Sequence, residues 1–268
     1  MRSFSIMQRV NLGARLGAGT SWSSRLGWST VSLLGFLAFW EILALIIQHR
    51  HLPTPTVVAT AMMHELVNGD LGYHVGITLL RVAAAFVIAM FIGSSIGILL
   101  GRFKTADNFF DTWVILFLNL PALVIIILCY VWFGRTEVAA ITAVAINKIS
   151  NVTVTVREGA RSLSRDLAEM AQMYRFGWWK TLRHVTLPQL TPFFLASART
   201  GLSLVWKIVL VVELLGRSNG VGFQLGTYFQ LFDVSMILAY ALAFIIVVQI
   251  IEFGILQPIA ARVNRWRR

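Results

Sequence analysis

Six long apolar runs, each separated from the next by a short polar segment, constrain this chain more than any other feature. They cover about residues 28–48, 77–101, 112–133, 138–156, 189–215 and 234–257. At 1.5 Å of rise per residue, a helical run of about 20 residues crosses roughly 30 Å of hydrocarbon. A hydrophobic content of 57% and a mean hydropathy of +0.73 lie far above those of a soluble domain. The expected fold is therefore an all-α polytopic membrane protein with about six transmembrane helices in one domain, residues 28–257. A tail of residues 1–27 precedes it, with Arg2, Arg9, Arg15 and Arg25 among Ser and Gly, and a basic tail of residues 258–268 follows. The first tail lacks the apolar core and cleavage site of a targeting peptide, so a cytoplasmic tail is the expectation. Cys129 is the only cysteine, which leaves neither a disulfide framework nor a thiolate metal site within the chain.

Twenty-three Lys and Arg stand against twelve Asp and Glu. Such an excess suits nucleic acid in a soluble protein, but in a membrane protein it marks cytoplasmic loops, and no nucleic-acid partner is expected. With both termini inside, the inner segments hold four, two, six and four Lys/Arg, sixteen in all, whereas the outer ones hold only Arg50, Arg135 and Arg217. That bias orients the chain.

Several polar residues fall inside the apolar runs, where each must meet protein or water rather than lipid. Glu41 interrupts the first span, and Arg81 near the start of the second can snorkel to the interface. Gly93, Gly97 and Gly101 recur at every fourth position, a stripe that permits close helix contact either within the chain or between copies. Asn119 and Pro121 break the third span, which frees backbone carbonyls and is tolerable only where the helix is buried or lines a cavity. Lys148 in the fourth span and Arg199, Lys207 and Glu213 in the fifth complete the candidate translocation path. Cations outnumber carboxylates there, which suits an anion; internal pairing explains the same residues.

The longest charged stretch between spans is Arg165–Pro188, within a loop of about residues 158–188. Ser164 is placed to cap a helix, with Asp166 and Glu169 in its first turns, where the helix dipole favours anions. Leu167, Ala171 and Tyr174 repeat at i, i+4, i+7 as one apolar face. Gly177 permits a bend, a second short helix runs from Trp178 to Leu187, and Pro188 begins a new element. The pattern suits a docking surface; it equally suits an ordinary loop lying on the headgroups.

These residues also carry a resemblance. The stretch resembles the EAA loop of bacterial ABC importer permeases: Glu169-Met-Ala171 matches its start, and Val185-Thr-Leu187-Pro188 matches its Ile-x-Leu-Pro end, nineteen residues on. One departure is plain, since Arg175 stands where the family has glycine and Gly177 follows two residues later. Leu52-Pro-Thr-Pro55, Leu79-Leu-Arg81-Val82, Trp132-Phe-Gly134 and Gly159 are similar to segments of the nitrate/sulfonate/taurine branch. The resemblance implies a type I importer permease pairing with a second copy, two cytosolic ATPase subunits and an external substrate-binding protein, in a bacterial inner membrane. It also implies that the loop is the coupling helix, with Asp166, Glu169, Ala171, Tyr174, Arg175 and Gly177 as the residues facing the ATPase. The chain has no G-x-x-x-x-G-K-[ST], so ATP and Mg are expected on the partner and no cofactor on this chain. A membrane-embedded enzyme would use Glu41, Lys148, Lys207 or Glu213, but the sequence holds no HExxH and no GxSxG. A stand-alone secondary transporter would show two corresponding halves with broken helices, and only one span is broken.

Overall fold

The computed structural model describes residues 22–49 and 51–258, which are helical with no strand among them. The two terminal tails, residues 1–21 and 259–268, and Arg50 lie outside the described residues. The chain divides into two compact units, Met1–Ala59 and Thr60–Arg268.

In the first unit, helix α1 (Trp22–Ile47) carries the first apolar run. It is followed by α2 (Pro55–Asn68), which has proline at its first position, where the missing N–H costs nothing. Glu41 is not left to lipid: its carboxylate accepts from the Thr56 hydroxyl at 3.0 Å and backbone N–H at 3.3 Å, at the positive end of α2. The Trp40 indole donates to the Pro53 carbonyl at 3.1 Å, tying the end of α1 to the following turn.

In the second unit, α3 (Leu71–Arg102) and α6 (Glu137–Arg161) run in close contact. The glycine stripe is the reason. A Cβ on Gly93 would stand 2.7 Å from Val152 Cβ, and one on Gly97 would stand 2.8 Å from the Thr153 carbonyl oxygen. Gly101 meets Ala160 in the same way. The stripe therefore seats α6 of its own chain. Around this seam Ala85, Val144, Val205 and Val209 form a core with Ile126 and Cys129.

Between α3 and α6 the third apolar run splits into α4 (Lys104–Asn119) and α5 (Ala122–Phe133), bent by 95°. Pro121 forces the preceding Leu120 into an extended conformation (ψ 124°) and has no N–H to continue the ladder. Asn119 covers one carbonyl near the break by donating to Ile115 at 2.8 Å. Counting the bent pair as one crossing, the apolar helices number up to six.

After α6 come α7 (Arg165–Met173) and α8 (Trp178–Thr181). A π turn at Leu182–Thr186 then leads into α9 (Leu187–Gly216). Contrary to the expectation from sequence, Pro188 begins nothing new, because the helix is continuous from Trp178 to Gly216. The wider π turn, with Leu187 N–H bonded to the Leu182 carbonyl, makes room for the proline ring that an α turn would press on the preceding carbonyl. The Gly-rich stretch after α9 folds as α10 (Val221–Gln230), and α11 (Val234–Ile251) completes the unit.

Two further expectations are corrected here. Arg81 does not snorkel and Glu213 does not line an open path: they are 4% and 0% exposed and bonded to each other. All five guanidinium donors of Arg81 are used. Nη1 donates to Glu213 at 2.6 Å and to the Asn219 carbonyl at 2.9 Å, Nε and Nη2 grip Glu137 at 2.8 and 2.6 Å, and Nη2 also reaches the Asn219 side chain. The other Glu213 oxygen accepts from Thr78 and from Gly222 N–H, each at 2.9 Å. The turn between α9 and α10 is thereby held onto α3. Gly220 is required in that turn, with φ +104° and no room for a Cβ beside the Glu213 carboxylate.

Two tests follow from this packing. Gly97→Ala should lower stability by about 1–3 kcal/mol because backbone must move, whereas Gly76→Ala, with open space around it, should be neutral or slightly stabilising. Glu213→Ala leaves Arg81 paired with Glu137 but removes the acceptor of Arg81 Nη1, the Thr78 hydroxyl and Gly222 N–H, and should cost about 1–3 kcal/mol. Thermal unfolding of the detergent-solubilised protein measures both, and equal behaviour of the two glycine variants would contradict the close α3–α6 seam.

Candidate functional site

The loop between α6 and α9 is built from strong local signals. Ser164 caps α7 by accepting from Leu167 N–H at 3.4 Å, and its own N–H donates to the Gln189 side chain at 3.0 Å, which fixes the start of α7 to α9. Just before the loop, Gly159 lies against the Phe193 ring with no space for a side chain. The end of α7 is a Schellman turn. Phe176 N–H reaches the Ala171 carbonyl at 2.8 Å, Arg175 N–H reaches that of Gln172 at 2.9 Å, and Arg175 takes φ +51°. The left-handed residue is therefore Arg175, not Gly177, which is extended at φ −65°, ψ 161°. The turn keeps a conformation that favours glycine although an arginine occupies it.

Along α7 only Ala171 is buried. Leu167 is 40% exposed and Tyr174 71%, so the apolar face expected from their spacing is for the most part open. Met170, Met173, Trp178 and Trp179 extend it into an exposed apolar and aromatic surface. Asp166, Glu169 and Arg175 are exposed beside it, and the Glu169 carboxylate forms no hydrogen bond or ion pair with Arg165, Arg183 or any other described residue. Trp178 and Trp179, ring centroids 5.9 Å apart, belong to this surface, and spacing alone gave no sign of them.

The residues proposed for a path fall in three places. Asn119 and Pro121 are exposed at the 95° break. Arg199 and Lys207 lie on an exposed stripe of α9 with Ser203 between them, Lys207 resting 5.4 Å over the Trp206 ring. Lys148 is apart from these, 2% exposed on α6, with its ammonium end against Gly201 of α9. It has no hydrogen-bond or ion-pair partner among the described residues, which is costly for a buried cation. One turn from Gly201, the Ser197 hydroxyl is buried and equally without a partner. Sequence reasoning passed over Ser197 because a serine among alanines on a helix carries no signal until its surroundings are known.

The carboxylates of α6 and α9 are all neutralised: Glu213 by Arg81, Glu137 by Arg81 and Arg217 together, Glu158 by Arg161. Lys148, Arg199 and Lys207 have no such partner among the described residues. Positive charge is therefore uncompensated at Lys148 on the α6–α9 seam and at Arg199 and Lys207 on the exposed stripe of α9. No group of three or more His, Cys, Asp or Glu placed to hold a metal ion occurs among the described residues.

Comparison with known proteins agrees with this architecture. Residues 89–262 match the family described as binding-protein-dependent transport system inner membrane component. An aliphatic sulfonates transport permease protein of Bacillus subtilis is 27% identical over 91% of this chain and 89% of its own length. The taurine transport system permease protein of Escherichia coli is 24% identical over 85% of each chain. The nitrate import permease protein of Synechococcus elongatus is 25% identical over 70% of this chain and 71% of its own. Among solved structures, a chain of the MetNI methionine ABC transporter in an inward-facing conformation superposes with a TM-score of 0.62 at 18% identity, covering 74% of this chain and 98% of that one, a likeness of fold. With more than half of its length matched and its helices arranged as in a type I importer, the chain belongs to the inner membrane components of binding-protein-dependent transport systems, as an ABC importer permease of the nitrate/sulfonate/taurine branch.

Proposed function

We propose that two copies of this chain enclose a path for a small oxoanion such as a sulfonate, taurine or nitrate, and that α7 couples the path to a separate cytosolic ATPase that binds ATP and Mg. The observation that carries the coupling half is the exposure of α7 on every face but Ala171, while its start is bonded to α9 through Ser164 and Gln189 and its end closes in a Schellman turn. A short rigid rod with an open apolar surface and an unbonded carboxylate is suited to a cleft in another protein. The names of the relatives support the substrate class, as does the uncompensated charge of Lys148, Arg199 and Lys207. Lipid facing Arg199 and Lys207 would be costly, so the α9 stripe is best accounted for by water or a second copy. The charge bias of the loops supports a cytosolic α7 and cytosolic termini, which leaves the other face for an external binding protein.

Reconstitution in proteoliposomes with the ATPase and a loaded binding protein tests this. Glu169→Ala should leave the permease folded in the membrane and reduce stimulated ATP hydrolysis at least about tenfold, as expected when a charged group at the centre of an interface is truncated. Full assembly and full stimulation in that variant would remove α7 as the coupling element. Arg175→Gly relieves a left-handed arginine and should raise thermal stability by up to about 1 kcal/mol, while lost stimulation in the same variant would assign the guanidinium a contact with the ATPase. In the transport assay, Lys148→Met should raise the substrate KM several-fold or more and Lys148→Arg should retain part of the affinity, whereas unchanged uptake by both would exclude Lys148 from the path.

A further inference from the structure

A second charged feature lies at the α7 end of the bundle, where α3 turns into α4. A cavity of about 340 Å³ is lined there by Arg102, Lys104, Asn108 and Arg161, with Asp107 at its wall. The acid is already spoken for. Asp107, 6% exposed, bonds Arg157 at 3.2 Å and also Arg161, while Asp111 takes a second Arg157 bond at 2.6 Å. Arg102 and Lys104 are exposed and have no hydrogen-bond or ion-pair partner among the described residues. The mouth of the cavity is thus basic.

Leu100 belongs to the wall of this cavity and also to that of a second one. The second, about 480 Å³, is an apolar trough between α3, α4 and α6. Phe110, Trp113 and Phe117 line it from one face of α4, and Ile96 and Leu99 from α3. Phe110, Trp113 and Phe117 remain 45%, 57% and 39% exposed, so nothing among the described residues fills it. Two unpaired cations at one end and an apolar trough continuing from Leu100 match an amphiphile with an anionic head and hydrocarbon tails. Basic pockets between membrane helices hold anionic headgroups, each Lys or Arg near the surface contributing to the preference.

We propose that this composite site binds one anionic phospholipid, with its headgroup between Arg102, Lys104 and Asn108 and an acyl chain in the trough under Trp113. The lipid would fill the angle between the glycine-packed α3–α6 pair and the broken α4–α5 helix. Binding itself rests on no functional reading; only the choice of the inner leaflet rests on α7 being cytosolic.

Native mass spectrometry of the purified full chain, together with any subunits that co-purify, tests the proposal. The probes are dioleoyl phosphatidylglycerol and dioleoyl phosphatidylcholine at equal concentration. The expected result is retention of phosphatidylglycerol over phosphatidylcholine by about tenfold. The preference should vanish in Arg102→Ala/Lys104→Ala and persist in Lys180→Ala/Arg183→Ala, which removes two basic residues elsewhere. Trp113→Ala should weaken phosphatidylglycerol retention several-fold. Equal retention of the two lipids, a preference that survives the Arg102/Lys104 pair, or equal loss in both double variants would overturn the site. So would efficient cross-linking of Trp113→Cys between two copies in the membrane, which would make the trough a seat for the second copy. None of these readouts depends on ATP hydrolysis, so a failed coupling assay and a failed lipid assay are separable.

Discussion

The buried pairing of Arg81 with Glu213 is the interaction on which the rest of the larger unit depends. A guanidinium inside an apolar bundle is tolerable only when its donors are met, and here five acceptors meet them. Those acceptors come from α6, from α9 and from the turn after it, so one side chain on α3 fixes three other parts of the fold. Arg217 extends the set through Glu137 and the Arg135 carbonyl, and His74 accepts from Gly220 N–H at 2.9 Å. The network consumes the carboxylates. What remains on α6 and α9 is cationic, and the electrostatic character of the proposed path is a consequence of how the structural charges are paired.

At the opposite end of α3 and α6 the same logic uses different residues. Glycines bring the two backbones together, and Arg157 and Arg161 gather Asp107 and Asp111 of α4 against them. This cluster lies just before Ser162, where the chain leaves α6 for the loop. The loop thus springs from a rigid platform: Ser164 is bonded to Gln189, and Phe193 packs on Gly159. A rod held in this way is suited to the coupling role proposed for α7.

Arg175 shows how a conformation persists when its usual residue is absent. The Schellman hydrogen bonds and the burial of Ala171 define the end of α7, and the next residue must be left-handed for the chain to turn toward α8. Glycine adopts that conformation without strain. Arginine adopts it at a cost of order 1 kcal/mol, and in return places a guanidinium on the exposed face. The position of the turn is set by the helix end and not by Gly177, although the sequence offers a glycine there.

Much of the architecture was legible in the residues. Apolar runs long enough to cross a bilayer, proline at 121 in the third of them, a serine cap before Arg165 and glycines at every fourth position of α3 each act through local sterics or through transfer out of water, and neither needs knowledge of distant partners. The same holds for the EAA-like spacing, which is a pattern along the chain. Tertiary structure alone decided which intramembrane charges are structural and which are left over. Arg81, Lys148, Arg199, Lys207 and Glu213 look alike in sequence, because each is an ionisable group in an apolar run. Only the folded chain brings Arg81 and Glu213, 132 residues apart, to 2.6 Å while leaving Lys148 buried against Gly201 without a partner among the described residues. It also decided that the glycine stripe serves packing within the chain and that Pro188 lies inside a continuous helix, since both depend on what stands across the contact.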